Sequence, residues 1–105
     1  MELFIKREKN GINAKALYDI VSGQVTVLKG SIVSSTVAHS EKFRGAKSIE
    51  NSRKEYVDGV IVTKDVSFKS SSTAANFVTG VSTNGLTAWK TESGETLKSV
   101  LNREG

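Results

Sequence analysis

The sequence predicts an α+β fold: a small antiparallel β-sheet, made of a meander plus later strands, covered by two or three helices. Three observations predict it. Short apolar segments alternating with polar residues fill the first thirty positions, broken by Asn10-Gly11 and Ser22-Gly23, and a period of two belongs to strands. From Glu41 onward the apolar residues recur at three- and four-residue spacing in two stretches, the period of helices facing a core. The chain has 105 residues, 37% of them hydrophobic, which suits one core in one domain spanning 1–105.

The elements follow in order. Leu3 to Ile5 and Ala14 to Tyr18 alternate and predict strands, with Asn10-Gly11 between them as a tight turn that tolerates positive φ. Gln24 to Leu28 is a third strand, β-branched at Val25, Thr26 and Val27. Ile32 to Ser40, rich in Ser, Thr, Val and Ala, fits an edge strand or a loop. Glu41 to Asp58 predicts a helix, with Ala46, Ile49, Arg53, Tyr56 and Val57 along one stripe and Asp58-Gly59 as its stop. Val60 to Thr63 predicts a buried fourth strand, and Phe68 an anchor in the core.

Ser70 to Gly80 is the best-specified helix. A serine oxygen can cap its free amides, Ala74, Phe77, Val78 and Val81 form a core-facing stripe, and Gly80 stops it. Thr83-Asn84-Gly85 reads as a turn of the Asn-Gly kind, Leu86 to Thr91 as a strand carrying Trp89, and Thr96 to Arg103 as a terminal helix with Leu97, Val100 and Leu101 inward.

Composition narrows the function. With no cysteine, disulfides, thiolate catalysis and cysteine-ligated zinc are excluded. No apolar run approaches bilayer length, and Met1–Arg7 lacks a signal-peptide layout; a cytoplasmic location is expected. His39, the sole histidine, stands in a Ser/Thr/Ala segment without a carboxylate at metal-ligand spacing, so a solvated loop position is expected. Neither Gly-x-Ser-x-Gly nor Glu-x-Lys occurs, which removes a nucleophile elbow and a common nuclease strand. Leu28-Lys29-Gly30-Ser31 lacks the glycines of a phosphate loop. No enzyme, metal or cofactor is therefore expected.

The formal charge of +4 suits a polyanionic partner. The excess cations are spread along the chain, two in residues 1–40 and one each in 41–63 and 64–105, so only folding can gather them on a face. Trp89 beside Lys90 reads either as core or as a wall for stacking a base.

Four blocks occur in order: Val27-Leu28-Lys29-Gly30-Ser31; Phe68 with Ser70-Ser71-Ser72 and Ala74-Ala75; Gly80, Ser82, Asn84-Gly85 and Trp89-Lys90; and Gly94 with Thr96-Leu97. Together they make the chain resemble, from about Phe4 to Leu101, the bacterial domain-of-unknown-function family four-three-five-seven. That resemblance implies a C-terminal or stand-alone module, often attached to GIY-YIG nuclease domains or encoded with restriction–modification systems. A more distant similarity is to the restriction-and-adenine-methylase-associated domain. The family tends to carry proline in its serine run where this chain has Ser71, and neither Gly-Ile-Tyr nor Tyr-Ile-Gly occurs, so no nuclease activity carries over.

The expected function is a non-catalytic accessory module that binds nucleic acid, DNA first, or assists a nuclease or methylase partner. Its candidate contacts are Lys29, Ser31, Arg44, Arg53, Lys69, Ser70, Asn84 and Lys90, with Trp89 as a stacking wall. The alternative is a protein-docking domain without nucleic-acid affinity, using an apolar patch at Ile32-Val33 or on the terminal helix.

Overall fold

The computed structural model describes residues 1–38 and 45–104. Strand β1 (Glu2–Arg7) turns into β2 (Ile12–Tyr18), and β3 (Val25–Val27) completes the meander. Helix α1 (Ala46–Tyr56) follows, then a hairpin of β4 (Val57–Asp58) and β5 (Ile61–Val62), then β6 (Val66–Phe68). Three helices close the chain: α2 (Ser71–Thr79), the single turn α3 (Gly85–Ala88) and α4 (Leu97–Glu104). The main sheet is antiparallel in the order β1-β2-β3-β6, and β4 and β5 pair separately. The α+β class is thus as the sequence predicts.

Alternation divides the main sheet into two faces. Leu3, Ile5, Ile12, Ala14, Ala16, Val25, Val27 and Val66 are buried on one side. There they join Ala74, Ala75, Phe77 and Val78 of α2, together with Trp89 and Leu97, in the core. Phe68, at the end of β6, sets its ring 5.0 Å from that of Phe77. Glu2, Phe4 and Lys6 on β1, Asn13, Lys15 and Leu17 on β2, and Thr26 and Ser67 beyond them occupy the opposite face, which is exposed or half-exposed throughout.

The serine-capped helix forms as the sequence predicts. The Ser70 hydroxyl accepts from the Thr73 amide at 3.1 Å, and Gly80 ends α2 in the left-handed conformation at φ 76°. Such a cap contributes about 1 kcal/mol. Ser71 holds the first helical position, where even a proline would be tolerated because no amide donor is needed there.

Several elements differ from expectation, each for a local reason. The β1–β2 loop spans Glu8 to Gly11, with only Gly11 at positive φ, rather than a two-residue Asn-Gly turn. Helix α1 stops at Tyr56 because Val57 is already extended and pairs with Val62; Gly59 serves the β4–β5 turn instead. Residues 41–44 of the expected helix, like His39 and Arg44, lie outside the described residues. The buried fourth strand shrinks to β5, where Val62 is buried and Ile61 is exposed. Val81 falls beyond the end of α2 and is exposed.

Ile32 resolves between strand and loop as a bridge, pairing singly with Asn13 on one side and Ile61 on the other. Leu86 to Thr91 is not a strand: the Asn84 side chain accepts from the Leu86 amide at 3.0 Å and starts α3. Only Lys90 keeps extended pairing, bridging Phe4 and Thr96.

Candidate nucleic-acid interface

The residues that carry the family resemblance interlock with one another. Trp89 is 0% exposed, and its indole N–H donates to the Ser71 carbonyl at 2.9 Å. The Ser72 hydroxyl accepts from the Gly85 amide at 3.1 Å, and the Asn76 side chain accepts from the Thr83 amide at 2.8 Å. The serine run and the Asn-Gly-Trp block therefore clamp α3 onto the first turn of α2. Trp89 presents no ring face to a ligand, and the Thr73 amide of the helix start is occupied by Ser70. Trp89→Phe is expected to cost about 2 kcal/mol, from the lost hydrogen bond and the lost ring volume, seen as an earlier urea midpoint. The wild-type tryptophan emission should resist quenching by acrylamide.

Arg53 is also occupied. Its guanidinium donates to the carbonyls of Phe77 (Nε, 3.0 Å; Nη2, 2.7 Å), Ser34 (Nη1, 2.8 Å) and Val78 (Nη2, 3.3 Å), and to the Ser34 hydroxyl (Nη2, 2.8 Å). Partial burial pulls its pKa below the ordinary arginine value. Although it borders a depression of about 490 Å³ with Thr36, Val37 and Lys54, its donors face carbonyl oxygens rather than that space. Ser31 is buried as well. Its hydroxyl accepts from the Lys15 amide at 3.0 Å and donates to the Lys15 carbonyl at 3.2 Å, filling the gap in pairing where the chain departs from β2 at Lys29-Gly30.

The remaining candidate cations are exposed but are not gathered together. Lys69 follows β6 and Lys29 follows β3, and because these strands are antiparallel they emerge at opposite ends of the pair. Lys90 stands across the sheet, beyond β1. The Lys29 backbone is tied down by the Asp65 carboxylate, which accepts its amide at 2.8 Å.

A different group assembles on the exposed sheet face. Phe4 pairs with Lys15 on one side and with Lys90 on the other, and directly opposed residues share a face. The Lys6 ammonium lies 5.1 Å from the centre of the Phe4 ring and that of Lys15 lies 5.9 Å away, within cation–π reach. Phe4, Lys6 and Lys90 line a depression of about 180 Å³ with Thr91, Glu92 and Gly94. Asn13, Lys15, Lys29 and Ile32 border a second, of about 420 Å³. Glu2 reaches Lys15 at 3.4 Å with both side chains about half exposed.

Sequence reasoning placed Lys29 and Lys90 among the candidates but missed Phe4, Lys6 and Lys15. A signal was present: Phe4 sits on the polar side of an alternating strand, beside a lysine. Among the described residues no three acids or histidines come together as a metal-binding group, and no buried side-chain nitrogen or oxygen lacks a hydrogen-bond partner. No helix among them is long and apolar enough to cross a membrane.

Fold and face define a small α+β module whose antiparallel sheet buries one side and presents the other, polar and lysine-bearing, to solvent. The chain belongs to the family described as a domain of unknown function (DUF4357), whose model matches residues 3–101. No match was found among curated proteins or among solved structures.

Proposed function

We propose that this is a non-catalytic module that binds nucleic acid across the exposed face of its sheet, as an accessory to a DNA-processing system in the cytoplasm. The observation that supports the reading is the cluster of Lys6, Lys15 and Lys90 around the half-buried Phe4, with Lys29 bordering the adjacent depression. Flexible lysines meet phosphates as point charges, and an aromatic ring between them supplies a surface for a base. Glu2, Glu92 and Asp65 temper the positive field, which suits moderate affinity.

Four phosphate contacts give a slope of about −3 in log affinity against log salt, so binding should weaken roughly 50-fold between 50 and 200 mM. Amide shifts of labelled protein, titrated with single- and double-stranded DNA at 50 mM salt, are expected at residues 4–6, 13–15, 29 and 90. Salt-independent binding, or shifts confined to α1 and α4, would count against this function.

A protein-docking role is the second reading, and one observation favours it. Leu17, Ile20 and Val21 are exposed at the β2–β3 turn, Val21 to 96%. The patch expected at Ile32-Val33 is not formed, because Val33 is buried and Ile32 is bridged on both sides; Leu97 and Val100 of the terminal helix are likewise turned into the core. An absence of shifts with nucleic acid at low salt would favour docking.

A further inference from the structure

We propose that the ligand of this face is a single strand, with one unpaired base stacked at Phe4 and the flanking phosphates held by Lys6, Lys15 and Lys90. The proposal deepens the nucleic-acid reading above and rests on it.

Three features point to a single strand. The first is the placement of the ring. Phe4 stands on the solvent side of β1, while the core is filled from the other side by Leu3 and Ile5. A half-buried aromatic there adds little to the core. The Lys6 and Lys15 ammonium groups lie over its ring, and a stacking base would displace these flexible side chains toward its own flanking phosphates. Bases stack on such a surface only when they are not already stacked in a duplex.

The second is the shape of the face. Duplex readers insert a helix or a two-stranded ribbon into the major groove. Here α2 packs against the opposite side of the sheet, and its first turn is clamped by α3. What remains is a row running Lys90, Phe4, Lys15 and Leu28, bonded strand to strand. Three inter-strand steps make it about 14 Å wide, enough for the two or three bases that sheet platforms accommodate.

The third is the sign of charge within the depression. Glu92 lines it together with Phe4, Lys6 and Lys90, so its carboxylate offsets part of the lysine charge next to the ring, where a neutral base meets less repulsion than a phosphate does. The flanking phosphates are left to the flexible ammonium groups of Lys6 and Lys90 and to Lys15, which holds Glu2 only through a half-exposed pair. Such pairs contribute little, so a phosphate can displace the carboxylate.

The test is anisotropy of labelled 12-nucleotide oligo(dT), oligo(rU) and a duplex of equal length with the full chain at 50 mM salt. Single strands are expected to bind about ten-fold tighter than the duplex or better; whichever of dT or rU binds tighter names the preferred sugar, and either supports the proposal. Phe4→Leu, checked for an unchanged fold, should weaken single-strand binding by about 5- to 150-fold with little change in salt slope. Phe4→Tyr, which keeps the ring, should retain affinity. Lys6→Ala should flatten the slope by about 0.7, and Lys54→Ala on α1 should change nothing. Duplex binding as tight as single-strand binding, or wild-type affinity in Phe4→Leu, overturns the single-strand inference and leaves a phosphate-binding face standing. No binding of any oligonucleotide defeats the nucleic-acid reading together with it.

Discussion

Gly85→Ala is expected to lower the melting temperature by roughly 12–24 °C, corresponding to about 3 kcal/mol or more. Gly85 is buried and does not have positive φ, so the cost is not one of backbone conformation. A Cβ at this position would overlap the backbone of Ser71 and Ser72, and neither chain can yield without moving α3 off α2. The Gly85 amide to Ser72 and the Trp89 indole to Ser71 depend on that approach, so parting the helices weakens both bonds and uncovers the tryptophan. Alanine gains about 1 kcal/mol of helix propensity over glycine, which is too little to offset the crowding. Gly94→Ala isolates the contrasting effect. Gly94 has φ 92° with open space around its Cβ position, so its loss reflects backbone strain alone, about 1 kcal/mol. Thermal melts of the two variants side by side decide the matter; a Gly85→Ala melt within a few degrees of wild type would show that the clamp yields.

This position also shows what was legible in the sequence. Asn84-Gly85 reads as a turn because both residues suit one locally. In the fold Asn84 caps a helix and Gly85 serves a close backbone approach, and that need is set by Ser71, fourteen residues away. Helix α2 was legible because its cap, stripe and stop are local signals. Helix α3 was not, since four residues are too few to display a helical period, and Leu86 with Trp89 then reads as part of a strand. The exposed face was legible only in part. Alternation told which residues of β1 turn away from Leu3 and Ile5, but not what lies opposite them. A two-residue turn at Asn10-Gly11 would pair Phe4 with Leu17; the four-residue loop that forms pairs it with Lys15. Register therefore decides whether Phe4 meets an apolar neighbour or a cation. Its other neighbour, Lys90, arrives from the far end of the chain by a bridge that no local pattern encodes.

Arg53→Met is expected to destabilise the protein by about 3 kcal/mol and Arg53→Lys by about half as much. One guanidinium holds the Phe77 and Val78 carbonyls at the end of α2 and both the carbonyl and hydroxyl of Ser34, so it joins α1, α2 and the segment after Ser31 at a single point. Hydrogen bonds from a charged donor are worth about twice neutral ones, and the negative end of the α2 dipole adds to them. Methionine keeps the packed stem and removes every donor, leaving carbonyls that water must re-enter to satisfy. Lysine restores the charge, but its three donors sit on one nitrogen and cannot span acceptors that arginine reaches through Nε, Nη1 and Nη2. The ordering wild type, lysine, methionine in urea midpoints is therefore the signature of a bonding role. Equal stability of wild type and lysine would instead assign the effect to charge at the helix end. Because Arg53 spends its donors on carbonyls away from the exposed sheet face, Arg53→Lys should bind oligonucleotides as wild type does well below its melt. A selective loss of affinity in that folded variant would return Arg53 to the set of phosphate contacts and move the interface from the sheet toward α1.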